Sequence, residues 1–306
     1  MKIVNPLYDK AFKYLMQNER FAKKILSIIL DETVEELHLS QQETVVADEK
    51  RQLTLFRLDF KAIIKKPDGT RHKVLIELQK SKYITDIQRF RAYLGANYLK
   101  PEYEKNKLNE DIKVSYPIIT IYILGYNVID IPYLAVSVNH NVINSVNKKT
   151  LNLKSEFIEL LNHSSHILQV TRLPEKRESI LEKFLVLFNQ AWCTEYKYIL
   201  DLQDIPDEFA EIAKYLQTPL SDDEFRRQLE AEDEIDTIFE RQEAKYIKQI
   251  EEAKQREIEA KQREEEAKQR EEESRIKLVI KMKKYGEPIE DIIKETGLSK
   301  EQIDKL

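Results

Sequence analysis

Phe56-Arg57-Leu58-Asp59-Phe60-Lys61-Ala62 and Val74-Leu75-Ile76-Glu77-Leu78-Gln79-Lys80 decide how this chain is read. Each run is apolar and rich in β-branched residues or Phe, which suits a β-strand. Between them, Lys66-Pro67-Asp68-Gly69-Thr70 carries a Pro-Asp-Gly turn signal. The two runs predict a β-hairpin, with Asp59 on one strand and Glu77 near the end of the next. Carboxylates held on adjacent strands repel each other unless a cation joins them. Hard oxygen ligands suit Mg²⁺, with Mn²⁺ as a substitute. Gln79 lies two residues beyond Glu77 and so shares its face of the strand.

Outward from the hairpin, apolar spacing predicts the remaining elements. Asp9 to Leu30 reads as one or two helices, with Asn5-Pro6 leading in and Asp9 in the first turn. Glu43–Ala47 and Gln52–Ile64 read as strands, with Asp48-Glu49-Lys50-Arg51 turning between them. Ile84–Leu99 is an amphipathic helix with Ile84, Ile87, Phe90, Tyr93, Leu94, Asn97 and Tyr98 near one face. Val114–Leu124 is the most hydrophobic strand, and its unbroken apolar run suits a strand buried on both faces. Leu134–Val138 and Ile167–Leu173 read as further strands, and Arg177–Cys193 and 204–218 as helices. The order of helix, three strands, helix and strand predicts an α/β fold: a mixed central sheet flanked by helices.

From about Asp222 the composition changes. Residues 222–275 hold 20 acidic and 12 basic side chains, a net of −8 within a chain of net −5, so the rest is +3. The whole-chain charge therefore says little about any surface that meets nucleic acid. Glu252–Glu272 holds three copies of a seven-residue unit, EAKQREI, EAKQREE and EAKQREE. Its residues favour helix, and pairs such as Glu257–Lys261 and Glu266–Arg270 are spaced i,i+4 in the better orientation. A coiled coil needs two apolar positions in seven. Here only Ala253, Ala260 and Ala267 recur, so a solvated helical spacer is the favoured reading. Beyond it, Leu278–Met282, Pro288–Glu295 and the stretch after Ser299 predict three short helices of helix-turn-helix spacing. In the last of these, Lys300 and Lys305 are offset by Glu301 and Asp304, so protein contact competes with DNA contact as its role. The expected domains are 1–218, the spacer 219–275 and the small module 276–306.

Composition sets outer limits. The chain has 306 residues, enough for a core domain that folds alone. Five glycines favour long helices over a turn-rich all-β fold. One cysteine, Cys193, rules out an internal disulfide and suits a reducing cytoplasm. No Cys/His cluster supports zinc, no signal-peptide core opens the sequence, and no run of about 20 apolar residues predicts a membrane span.

Asp59-x(17)-Glu77-x-Gln79 resembles the PD-(D/E)xK nuclease core in its variant with Gln in the last place. Four ordered stretches sharpen this: Asp9-Lys10-Ala11-Phe12-Lys13-Tyr14-Leu15, Arg57-Leu58-Asp59, Ile76-Glu77-Leu78-Gln79 and Arg89-Phe90-Arg91-Ala92-Tyr93. Together they resemble the Rpn family of recombination-promoting nucleases and transposases, over roughly residues 5–170. The resemblance implies a restriction-endonuclease-like core and a Mg²⁺-dependent endonuclease acting on double-stranded DNA in recombination or transposition. Asp59, Glu77 and Gln79 would be catalytic, with the ion on Asp59, Glu77 and the backbone carbonyl of Leu78. Asp9 would be either an added acidic group at the metal or a helix-dipole partner. Arg57, Arg89 and Tyr93 would contact phosphate or support the ligands. Gln79 stands where the parent motif has Lys. It can donate and accept hydrogen bonds but cannot act as a cation or base, so the general base is unassigned. Lys80 should point to the opposite face and is not that lysine. Cutting both strands needs two sites, which would suit a homodimer. The competing reading is a catalytically weak DNA-binding or transposition accessory protein, or a defence scaffold, that retains the fold.

Overall fold

The computed structural model describes residues 1–40, 60–80, 86–106, 108–153 and 155–305; the side chains of Ser40, Asp86, Gln88, Arg89, Phe239 and Glu243 are outside that description. The chain divides into two compact units, Met1–Glu240 and Arg241–Leu306. In the first unit the elements run β1 (Lys2–Val4), α1 (Asp9–Gln17), α2 (Glu19–Leu30), β2 (Glu36–Ser40), β3 (Phe60–Lys65), β4 (Arg71–Gln79) and α3 (Asp86–Leu99). They continue with β5 (Glu102–Lys105), β6 (Asp111–Val114), β7 (Ile118–Leu124), β8 (Ala135–Val138), β9 (Val142–Ile143), β10 (Thr150–Leu151), α4 (Glu156–Leu161) and β11 (His163–Gln169). α5 (Ile180–Leu185), β12 (Ile199–Asp201) and α6 (Ala210–Gln217) follow, and α7 (Asp223–Lys284) begins in this unit.

Six strands form one mixed sheet in the order β2-β3-β4-β7-β11-β8. β3 and β4 are antiparallel, with Phe60 opposite Ile76, and Gly69 takes a positive φ in the turn that joins them. β7 is parallel to both β4 and β11, so it lies inside the sheet, as its continuous apolar run implies. Pro117 separates β6 from β7 and splits the single run expected over Val114–Leu124. Proline has no N–H to give a ladder, but its carbonyl accepts from Lys73 N at 2.8 Å. Parity along β4 sorts the two faces. Val74, Ile76 and Leu78 join the main core with Phe12, Leu15, Phe21 and Ile25 of α1 and α2. Leu75 faces the other way, onto Phe90 and Leu94 of α3. The sheet is thus covered by α1 and α2 on one side and by α3 on the other.

Several boundaries differ from the sequence expectation. On α3 the buried stripe is Phe90, Tyr93, Leu94 and Asn97, at spacings of three and four, which leaves Ile87 and Tyr98 exposed. β11 starts at His163 and passes into a 3₁₀ turn at Val170–Arg172. The helix expected over Arg177–Cys193 is α5 alone, capped reciprocally by Ser179 and Glu182, followed by two 3₁₀ turns. The strand expected at Glu43–Ala47 lies outside the described residues. The charged stretch is also not solvated from its start: Leu229 is buried and Phe225 packs on the main core.

In the second unit, the i,i+4 pairs of the repeats form as spaced, among them Lys261–Glu257 at 2.7 Å and Arg270–Glu266 at 3.1 Å. They are exposed, so each adds little. α7 ends at Lys284, and α8 (Ile289–Thr296) and α9 (Lys300–Asp304) follow. Val279, Ile292 and Ile303 form the module's small core. Gly297, at φ 68°, ends α8, and Ser299 caps α9.

His72, at the start of β4, gives a pH test of the fold. Burial, reinforced by the charge of Lys66, pulls its imidazole down from 6.5 to about 4. The unfolded chain takes that proton near 6.5, so the folded state is favoured above 6.5 and loses this contribution as pH falls towards 4. Between pH 7 and pH 4.5 the loss is roughly 2–3 kcal/mol. Urea unfolding of the wild type and His72→Gln at both pH values should show this difference. Equal losses in the two proteins would refute it.

Candidate functional site

Glu77 and Gln79 close the C-terminal half of β4 on the face that α3 covers. Both are buried, with relative exposures of 1% and 7%. Burial of an acid and an amide at the end of an interior strand is unusual unless their polar atoms are used. Glu77 lies level with Tyr122 of β7, whose ring packs on Phe90 at 4.2 Å between centroids. Burial pushes the Tyr122 phenol above its ordinary value, and the charge of Glu77 adds to the rise.

Gln79 is held at both ends. Its backbone carbonyl accepts from Gly125 N at 2.7 Å, and its side-chain Oε1 accepts from the Tyr126 hydroxyl at 2.7 Å. The approach requires a glycine: a Cβ on residue 125 would stand 2.8 Å from the carbonyl oxygen of Lys80. The turn after β7 is therefore pressed onto the end of β4.

The start of α1 meets the same strand end. Glu232 of α7 accepts from Asp9 N at 2.9 Å and from Lys80 Nζ at 2.9 Å with the same oxygen. Its other oxygen accepts from Lys10 N at 3.3 Å. A carboxylate there satisfies N–H groups that a helix start leaves without partners. Asp233 accepts from the Tyr8 hydroxyl at 2.6 Å, and Lys80 also pairs with Asp236 while its ammonium lies 3.5 Å from the centre of the Tyr8 ring. Burial raises the Asp236 carboxyl against the opposing pull of Lys80. Lys80 is thus engaged by α7, in keeping with its exclusion as the motif lysine.

Only some of the expected residues are among those described. Asp59 and Arg57 lie outside the described residues, and of Arg89 only the backbone is described. Asp9 stands in the first turn of α1, with Lys13 Nζ donating to its Oδ2 at 2.8 Å. Tyr93 is fully buried on α3. Leu78 points its side chain into the main core. Among the described residues no group of three or more His, Cys, Asp or Glu side chains could hold a metal ion. The Glu77 carboxylate is a hard oxygen donor of the kind that Mg²⁺ and Mn²⁺ take, and Asp59, the second carboxylate expected, lies outside the described residues.

A charged cluster on the same face escaped the sequence reading. Lys61 pairs with Leu75 across β3 and β4, which places Lys61 and Lys73 on the face of Glu77. Both lysines are buried, and both donate to Oε1 of Glu102, at 2.7 and 2.8 Å. Lys73 Nζ also donates to the carbonyls of Asn97 and Lys100 at the end of α3. Burial lowers the Lys73 ammonium, while the two lysines hold Glu102 below its ordinary value against its own burial. This clip ties the end of α3 to the sheet beside the site. Its signal was a lysine at an inward position of each of two apolar strands, Lys61 and Lys73.

No family model, curated protein or solved structure matches this chain. Among the described residues no helix is long and apolar enough to cross a membrane.

Proposed function

We propose that the chain is a metal-dependent endonuclease that hydrolyses phosphodiester bonds of double-stranded DNA, in the manner of the PD-(D/E)xK nucleases that serve recombination or transposition. The observation that carries this reading is the burial of Glu77 and Gln79 on one face at the end of an interior strand. That placement suits the second half of a D…ExQ motif on a restriction-endonuclease-like core. Glu77, with Asp59 and the Leu78 carbonyl, would hold Mg²⁺ or Mn²⁺. When bound, the ion would acidify a water and relieve charge at phosphorus. The chain's own part is to fix these oxygens on a rigid strand, to shut α3 over them, and to offer the Gln79 amide to a water or phosphate oxygen.

The test is conversion of supercoiled plasmid to nicked and linear forms by the full chain, with Mg²⁺, with Mn²⁺ and with EDTA. Cleavage in both metals and none in EDTA is expected. No cleavage in either metal, alongside retention of DNA in a gel shift, would replace the nuclease with the accessory reading.

A further inference from the structure

The orientation of Gln79 is set by a residue outside the motif. A carboxamide can face a ligand with its oxygen, as an acceptor, or with its NH₂, as a donor. The Tyr126 hydroxyl donates to Gln79 Oε1 at 2.7 Å, which turns the oxygen towards Tyr126 and Nε2 away from it. Tyr126 itself is fixed by the residue before it, because Gly125 N donates to the Gln79 carbonyl and Gly125 lies against the Lys80 backbone. We propose that Tyr126 is a positioning residue that makes Gln79 a hydrogen-bond donor, and that the group it meets is an anionic oxygen of the phosphodiester.

This rests on the nuclease reading and narrows it. A donor amide can hold a phosphate oxygen or the lone pair of a water, but it cannot take a proton from that water. The general base is then not Gln79, and Gln79 keeps one role of the lysine it replaces, donation to oxygen, without that lysine's charge.

Tyr126→Phe removes the hydroxyl and keeps the ring. It should lower kcat for plasmid cleavage about tenfold, the size expected for one lost hydrogen bond, with KM for DNA unchanged within about twofold. In a Gln79→Lys background the same change should alter kcat by less than about twofold, because an ammonium donates whichever way it turns. A tenfold loss in both backgrounds would overturn the positioning role. A second readout does not depend on cleavage. In a chain labelled with [¹⁵N]glutamine, the Gln79 side-chain amide, assigned through Gln79→Leu, should shift and exchange faster with water in Tyr126→Phe. An unchanged amide signal would overturn the proposal even if the wild type cuts DNA. A changed signal in a chain that never cuts would uphold the contact and defeat the nuclease reading alone.

Discussion

Glu77→Gln should abolish cleavage of DNA, by about three decades or more, while leaving the chain folded. Carboxylate and carboxamide are nearly the same size, so the interior of β4 keeps its shape. What is lost is the charge that would hold the ion. An ion at a transferring phosphoryl group contributes several kcal/mol, and each 1.36 kcal/mol is tenfold in rate. Two thermal melts bear on the claim as well as the rate. Millimolar Mg²⁺ should raise the wild-type melting temperature and leave that of Glu77→Gln unmoved, because only a folded state that binds the ion gains from it. Equal stabilisation of both by Mg²⁺ would take Glu77 out of the metal site, whatever the rate shows.

Much of the frame around Glu77 could be read from residues alone, and the gaps have physical causes. The hairpin of β3 and β4 was legible because Pro67-Asp68-Gly69 lies between two apolar runs, and a turn sets register. The interior place of β7 was legible because Ile118–Leu124 carries only one polar residue, Thr120. The short pairings were not. β1 with β12 and β9 with β10 involve two or three residues each, too few to show a period. The start of α7 was misread for another reason. Glu232, Asp233 and Asp236 look like a solvated face, since charge runs usually are. Here their partners are Lys80, Tyr8 and the first amides of α1, more than 200 residues away in the chain for Tyr8 and α1. No local pattern records such a contact. Tyr126 was hidden in the same way: nothing in Gly125-Tyr126 announces that it reaches Gln79.

Glu102→Gln should destabilise the first unit by about 3–5 kcal/mol, the usual loss when one partner of a buried ion pair is removed. Glu102 receives two ammonium groups, from Lys61 and Lys73, whose side chains are each 3% exposed. An amide in its place can accept a hydrogen bond but cannot offset either charge. The two lysines would then repel each other in a poorly solvated place, beside the end of α3. Burial already lowers Lys73, and loss of the carboxylate would lower it further. A lysine depressed in the folded state binds fewer protons folded than unfolded, so the stability of Glu102→Gln should climb as pH rises from 7 to 9. The wild type, which keeps the carboxylate, should gain less over the same range. A triple variant, Lys61→Met, Lys73→Met and Glu102→Leu, tests the cause. Apolar side chains of similar volume often match or better a buried charge cluster, so it should recover to within about 2 kcal/mol of the wild type. Denaturant unfolding of the three proteins at pH 7 and pH 9 decides the matter. If the triple variant is as unstable as Glu102→Gln, the loss lies in shape and not in charge, and the clip on α3 is not electrostatic.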